Sequence, residues 1–286
     1  MANKYTDEKS IQILMSYMKL YGIRKVIASP GSMNVCFVAS VQYDPYFEVY
    51  SAVDERSAAY MACGMAEESG EPVVLTCTGA TASRNYVPGM TEAFYRKLPV
   101  LAVTCSSNFA KAGHNYPQVI DRSVVQKDVA KVSARIPVLH TKEDERHYGA
   151  VICNALLELR HNGGGPVHLD MEVNYGTGFS EKELPKVPFT ERVLSYEELP
   201  KMPNGKIAIL VGAHSAWSSE LQNAVDIFCE KYNAVVFCDQ TSNYRGKYRI
   251  LSGLLFGQRQ YKSYCTEIDV LIYIGNVYGE CPFSYQ

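Results

Sequence analysis

The sequence predicts an α/β fold: a doubly wound parallel sheet with helices on both faces, followed by part of a second α/β domain. Three observations predict it. Helical and strand patterns alternate along the first 171 residues, the rhythm of right-handed βαβ units. The strand-like runs are continuous rather than alternating, as in PVVLTC at 72–77, which suits strands buried on both faces of a parallel sheet. Finally, the stretch 179–203 carries four prolines and many charges in EKELPKVPFTERVLSYEELPKMP, the composition of an exposed linker. The expected organisation is an α/β domain over 1–178, a linker over 179–203, and an incomplete Rossmann-like domain over 204–286.

Each element has a local reason. Thr6 is placed to cap a helix with Asp7 and Glu8 in its first turn, favourable near the positive end of the helix dipole. Ile11, Leu14, Met15 and Met18 then recur at helical spacing, and Gly22 ends the helix. KVIA at 25–28 reads as a strand. Ser29-Pro30-Gly31-Ser32 reads as a tight turn, because proline fixes one dihedral and glycine permits positive φ. A short helix from Asn34 and a strand over 47–52 follow. The helix from Asp54 carries Ala58, Ala59, Ala62, Gly64 and Ala66, small residues that let it lie close to a sheet. A strand over 72–77, a helix over 81–95 and a strand over 99–104 come next. A helix over 143–159, a Gly-rich connector HNGGG at 161–165 and a strand over 166–171 close the first series. In the second series, strands are expected over 206–211, 234–238 and 270–274, with an amphipathic helix over 219–231.

Composition bounds the partners. The chain has 286 residues, 47% hydrophobic and 20% charged, with a formal net charge of −2, so there is no electrostatic case for nucleic acid or an anionic membrane. No apolar run approaches the roughly 18 residues that span a bilayer. The start, MANKYTDEKS, lacks the apolar core of a signal peptide. The nine cysteines form no C-x-x-C pair, and several sit in apolar runs, as buried reduced thiols of a cytoplasmic protein would.

Three strand-end segments are candidates for chemistry. Asp54-Glu55-Arg56 opens a helix after a strand. One reading is that these acids satisfy the helix N-terminus. The other is a partly buried carboxylate working in proton transfer; spacing does not decide between them. Thr78-Gly79-Ala80-Thr81 is either a plain helix-starting turn or a turn whose N–H groups face a ligand. It is neither a G-x-x-x-x-G-K-[ST] loop nor a G-x-G-x-x-G fingerprint. Ser29-Pro30-Gly31-Ser32 is the third. Three such turns on one sheet edge make a crevice, the usual ligand site of open α/β sheets. His114 reads as a solvated loop residue and His168 as a satisfied core histidine. Trp217 suggests nothing specific.

In order, SPGS, VDERSAAYMACGMA, EPVVLTCTGATASRN and LPVLAVT resemble the pyrimidine-binding domain of thiamine-diphosphate enzymes. Within that superfamily the chain is similar to the succinyl-enolpyruvyl-hydroxycyclohexene-carboxylate synthases of menaquinone biosynthesis. Those show an SPGSR turn, a DERSA acid motif and a TSGTAxxN turn. GHNYPQVIDR and GPVHLD are further landmarks, and KIAILVGAHS through VVFCDQTSNYRG resembles the start of the family's central domain.

The resemblance implies a decarboxylation and carboligation acting on a 2-oxo acid. It implies Glu55 as the acid that activates the cofactor aminopyrimidine, with Pro30, Gly31, Thr78, Gly79 and Asn85 on the cofactor side and Ser32 and Gln118 on the substrate side. The cofactors implied are thiamine diphosphate and Mg2+. The chain departs from the family in two respects. Met33 stands where the family has the SPGSR arginine, and the arginine after the fourth strand is absent from VTCSSNFAKAG. Methionine does not replace a bidentate guanidinium–carboxylate contact, so a less anionic acceptor is expected, with Lys111 offering one replacement charge. The GDG…N motif that holds diphosphate and magnesium does not occur in this chain either. The expectation is an N-terminal fragment or subunit, inactive alone. The diphosphate-binding domain of a second subunit would complete its site, in a homodimer or tetramer. The alternatives are a non-catalytic module of the same fold and, more distantly, an ordinary nucleotide-binding domain.

Overall fold

The computed structural model describes residues 5–176, 178–253 and 267–276. The chain divides into two units, Met1–Arg192 and Val193–Gln286.

Six parallel strands form the sheet of the first unit: β1 (Lys25–Ala28), β2 (Glu48–Ser51), β3 (Val73–Thr78), β4 (Val100–Ser106), β5 (Val132–Ile136) and β6 (Val167–Glu172). Their order is β2-β1-β3-β4-β6-β5. β3 and β4 are buried along their whole length, as the continuous apolar runs require. Helices α1 (Lys9–Leu20), α2 (Val35–Tyr43) and α6 (Lys142–Glu158) cover one face, packing on Val26, Val74, Leu101 and Leu169. Helices α3 (Glu55–Ser69) and α5 (Val87–Tyr95) cover the other, packing on Ile27, Leu75, Cys77 and Ala102. The alanines of α3 serve close approach: a Cβ on Gly89 of α5 would meet the Ala59 backbone at 3.0 Å.

Several elements differ from expectation. Thr6 does not cap α1, whose N-cap is Glu8. Tertiary contacts claim the acids that precede it: Asp7 accepts from the Ser180 N–H (3.0 Å) and Glu8 from the Asn174 N–H (2.7 Å). The helix expected over 81–95 is two, α4 (Thr81–Arg84) and α5, interrupted at Asn85-Tyr86. Pro88, which lacks a donor, sits in the first turn of α5, where none is needed. β5 was not expected. It is a partly exposed edge strand carrying Arg135, so its pattern is not that of a buried run.

The stretch 179–203 is also divided. Residues 179–192 lie on the first unit as a strap. Ser16 Oγ donates to Pro185 O and Tyr21 Oη to Thr190 O, each at 2.7 Å. Arg192 pairs with Glu158 at 2.6 Å, and Leu184 and Val187 pack against the core. The prolines and charges suggested a solvated linker, yet the apolar side chains between them find α1 and α6.

The second unit has a parallel four-stranded sheet in the order β10-β7-β8-β9: β7 (Ile207–Val211), β8 (Val235–Cys238), β9 (Arg249–Leu251) and β10 (Val270–Ile274). Helix α7 (Ser219–Tyr232) is capped by Ser218 Oγ, which accepts from the Leu221 N–H at 3.1 Å. β9, exposed throughout, was not expected. The seven described cysteines are free and buried; Cys265 and Cys281 lie outside the described residues. Among the described residues no helix is long and apolar enough to cross a membrane.

Candidate active site at the carboxyl edge of the sheet

From β1 the chain runs to β2 on one side and to β3 on the other. The carboxyl ends of β1 and β3 therefore flank a topological switch point, where open α/β sheets form a ligand crevice. The turn at 29–32 follows β1, Glu55 follows β2, and the turn at 78–81 follows β3. The three sequence candidates thus lie on one edge.

The acid pair divides its work. Asp54 is the N-cap of α3, and its Oδ1 accepts from the Ser57 N–H at 2.7 Å. That hydrogen bond lowers the Asp54 pKa. Glu55 is half-buried and does not cap. Its Oε2 accepts from Asn85 Nδ2 at 3.4 Å, and its Oε1 has no partner among the described residues. The break between α4 and α5 is what brings Asn85 to it. Behind this pair Tyr86 is buried, and burial raises its pKa well above the ordinary phenol value. Burial likewise pushes the Cys77 thiol up to about 12. These groups stay neutral at physiological pH. The Tyr86 and Ser29 hydroxyls are buried and face one another, and the Cys77 thiol lies beside Tyr86.

The two glycines are required sterically. The Gly31 N–H donates to Asn34 Oδ1 at 2.7 Å, and a Cβ on Gly31 would run into Thr78 Oγ1. Thr78 Oγ1 also accepts from the Met33 N–H at 3.4 Å, so the first and third turns are stitched together. The Gly79 N–H donates to Cys105 O at 2.7 Å. A Cβ on Gly79 would collide with Ser106 Oγ and the Arg122 guanidinium. Ser32 Oγ donates to Gln118 Oε1 at 3.1 Å, and Gln118 adopts φ +60° in an exposed loop. Pro30 is exposed at the turn's tip. The eight residues therefore gather as Glu55 with Asn85, Gly31 with Thr78, and Ser32 with Gln118. Gly79 packs on Arg122, and Pro30 has no side-chain partner.

Sequence reasoning assigned no role to Arg122 and Asp170, although both lie in landmarks it singled out. Arg122 is buried and pairs with Asp170 Oδ1. It also donates to Ser106 Oγ and, at 2.9 Å, to Thr104 Oγ1. Arg135 Nε lies 3.7 Å from Asp170 Oδ2. His168 is satisfied on both ring nitrogens, by Thr104 Oγ1 at 2.8 Å and Ser133 Oγ at 2.9 Å, and burial lowers its pKa to about 4. A cavity of about 40 Å³ lies behind this edge, bounded by Tyr86, Thr104, Arg122 and His168 among others. That volume suits ordered water rather than a cofactor. His114 is exposed, and Lys111 Nζ sits 4.6 Å over the Tyr116 ring. The side chain of Met33 is buried in the core. Among the described residues no group of three or more His, Cys, Asp or Glu side chains is placed to hold a metal ion.

Residues 9–125 match the family model described as thiamine pyrophosphate enzyme, N-terminal TPP binding domain. The chain is 34% identical over 184 residues to a 2-succinyl-5-enolpyruvyl-6-hydroxy-3-cyclohexene-1-carboxylate synthase of Phocaeicola vulgatus, a match covering 64% of this chain and 33% of the relative. It is 32% identical over 266 residues to the synthase of the same name from Porphyromonas gingivalis, covering 86% of this chain and 44% of the relative. The chain therefore spans between a third and a half of the length of these curated relatives. Among solved structures, a Mycobacterium smegmatis protein assigned as a thiamin diphosphate-dependent enzyme matches with a TM-score of 0.51. That match covers 82% of this chain and 45% of the other at 18% identity, and speaks for the fold alone. Sequence match and parallel α/β architecture agree: residues 9–125 are similar to the N-terminal TPP binding domain of thiamine pyrophosphate enzymes.

Proposed function

We propose that this chain is the N-terminal part of a thiamine-diphosphate-dependent enzyme that decarboxylates a 2-oxo acid and transfers its acyl unit to an acceptor. The observation that carries this reading is the state of Glu55. It is a half-buried carboxylate at the switch-point edge, with one oxygen held by Asn85 and the other without a partner. The residues present fit the cofactor's aminopyrimidine. Glu55 Oε1 is open on this edge among the described residues, and the Gly31 and Gly79 turns beside it are close-packed, with no room for a Cβ against Thr78 or against Ser106 and Arg122.

When bound, thiamine diphosphate supplies the electron sink for loss of carbon dioxide and for acyl transfer. The protein's part is orientation and proton placement. With the cofactor bound, Glu55 would be the residue that hydrogen-bonds a pyrimidine ring nitrogen, its carboxyl group oriented by Asn85. Pro30, Gly31, Thr78 and Gly79 shape the cofactor side. Ser32 and Gln118, joined at 3.1 Å, present neutral hydrogen-bonding groups to the substrate. Met33, buried in place of an arginine, removes a carboxylate clamp and favours an acceptor less anionic than that of the menaquinone synthases. Mg2+ and the diphosphate would be held outside this chain, by the facing domain of a second subunit in a cytoplasmic homodimer or tetramer. A non-catalytic module with this fold is the second reading, and the buried Met33 is the observation that favours it.

The deciding experiment uses the full-length protein. Glu55→Gln should abolish turnover of 2-oxo acids while leaving the circular dichroism spectrum and melting temperature unchanged. Turnover that survives in Glu55→Gln removes Glu55 from the mechanism. A wild-type protein that binds thiamine diphosphate with Mg2+ but turns over no 2-oxo acid favours the module.

A further inference from the structure

A second site lies on the opposite face of the first unit from Glu55. The strap presses over α1 and α6 but leaves a cleft of about 440 Å³ between them, within the roughly 300–1,000 Å³ range of small-molecule pockets. Its walls are apolar: Ile13 of α1, Gly149 and Ala150 of α6, and Pro185, Val187 and Pro188 of the strap.

Polar groups at its floor and rim give the cleft a chemical preference. Tyr17 lines the cleft and is only 2% exposed, yet its hydroxyl makes no hydrogen bond among the described residues. That hydroxyl lies beside Gly149, where an added Cβ would sit 3.9 Å from it. The absence of a side chain on Gly149 thus keeps the floor open. The ring is buried while the hydroxyl oxygen reaches the cleft, where a ligand or water can supply its hydrogen-bond partner. Burial and the neighbouring Cys153 raise the Tyr17 pKa, so the group is a donor. Cys153 itself is engaged by Tyr21 Oη at 3.2 Å. At the rim, Lys142 is neutralised by Glu145 at 2.8 Å. Arg146 and Lys186 also line the cleft and have no ion pair among the described residues, so the mouth carries uncompensated positive charge.

We infer that the cleft between α1, α6 and the strap binds a small organic anion with an apolar body. The acid group would accept from the Tyr17 hydroxyl or pair with Arg146 and Lys186, and the body would lie against Ile13, Ala150 and Val187. This inference is independent of the thiamine reading, since no residue of the cleft belongs to the Glu55 edge.

The test uses 8-anilinonaphthalene-1-sulfonate as the anionic probe and N-phenyl-1-naphthylamine as its neutral counterpart, each followed by fluorescence titration of the full chain. Saturable binding of the sulfonate at one site per chain is expected. Ala150→Trp, at an exposed position on the cleft wall, should abolish it. Tyr17→Phe and the double variant Arg146→Glu/Lys186→Glu should each weaken it about tenfold, the scale of one lost charge-assisted contact. Thermal melts establish that each variant is folded. Sulfonate binding unchanged in folded Ala150→Trp would overturn the proposal. So would equal affinity for the neutral probe with no effect of charge reversal, which leaves only an unselective apolar groove.

Discussion

Asn85 Nδ2 donates to Glu55 Oε2 at 3.4 Å, joining the interruption between α4 and α5 to the first turn of α3. The two residues are 30 positions apart, and the link exists because the helix expected over 81–95 is broken. With that helix continuous, Asn85 would be one more residue on a helical surface. Broken, it becomes the group that orients the carboxylate. Removing the amide should loosen Glu55 without unfolding the chain. Asn85→Ala in the full-length protein should lower kcat/KM for a 2-oxo acid about ten- to a hundredfold, the range for a lost positioning contact, with little change in melting temperature. Unchanged kinetics would detach Asn85 from the site.

Asp54 and Glu55 are adjacent acids with separable roles. Asp54 caps α3 through the Ser57 N–H, and loss of a cap destabilises a helix. Glu55 makes no backbone contact of that kind. Asp54→Ala should therefore lower the urea midpoint, whereas Glu55→Gln should leave it in place. The reverse ranking in equilibrium unfolding would mean that the two roles are exchanged.

Arg122 and Asp170 form a buried pair whose guanidinium packs against Gly79. Breaking such a pair leaves an uncompensated buried charge and typically costs about 3–5 kcal/mol. Arg122→Met and Asp170→Leu should each be destabilising on that scale in urea unfolding. The double variant should recover much of the loss. Additive losses in the double-variant cycle would show that the pair does not act as a unit.

His168 sets a pH dependence. Burial depresses its pKa to about 4 from the ordinary imidazole value of 6.5. Between those values the unfolded chain binds a proton that the folded chain does not, so stability falls as pH drops from about 6.5 to about 4. The shift corresponds to roughly 3 kcal/mol. Glu158 acts in a lower window. Burial raises its pKa, but hydrogen bonds from Arg192, His161 and Lys131 outweigh this and lower it to about 2. Its contribution, present above about 4.5, is lost as pH falls from there to about 2. Urea midpoints measured from pH 7 to pH 4 should slope downward in the wild type and flatten in His168→Gln. An equal slope in both would assign the acid sensitivity to other groups.

Much of this was legible in the residues. SPGS, DERSA and the TGAT turn each follow an apolar run, and strand-end turns of one parallel sheet must share its carboxyl edge. The missed elements have physical reasons. β5 and β9 are edge strands with exposed, charged positions, so neither shows the unbroken apolar run of a central strand. The strap over 179–192 has the prolines and charges of a linker, but Leu184 and Val187 bury against helices whose faces are known only in three dimensions.

By itself the sequence determined the α/β class, the central strands with most of the helices between them, and the three strand-end turns, because these follow from local periodicity and backbone preference. Only the tertiary structure decided that Asp54 rather than Glu55 caps α3, that Asn85 reaches Glu55, and that Arg122 meets Asp170 beneath Gly79. Each is a contact between residues distant in the chain or a choice between neighbours. Such outcomes depend on where packing puts side chains, which spacing along one segment does not encode.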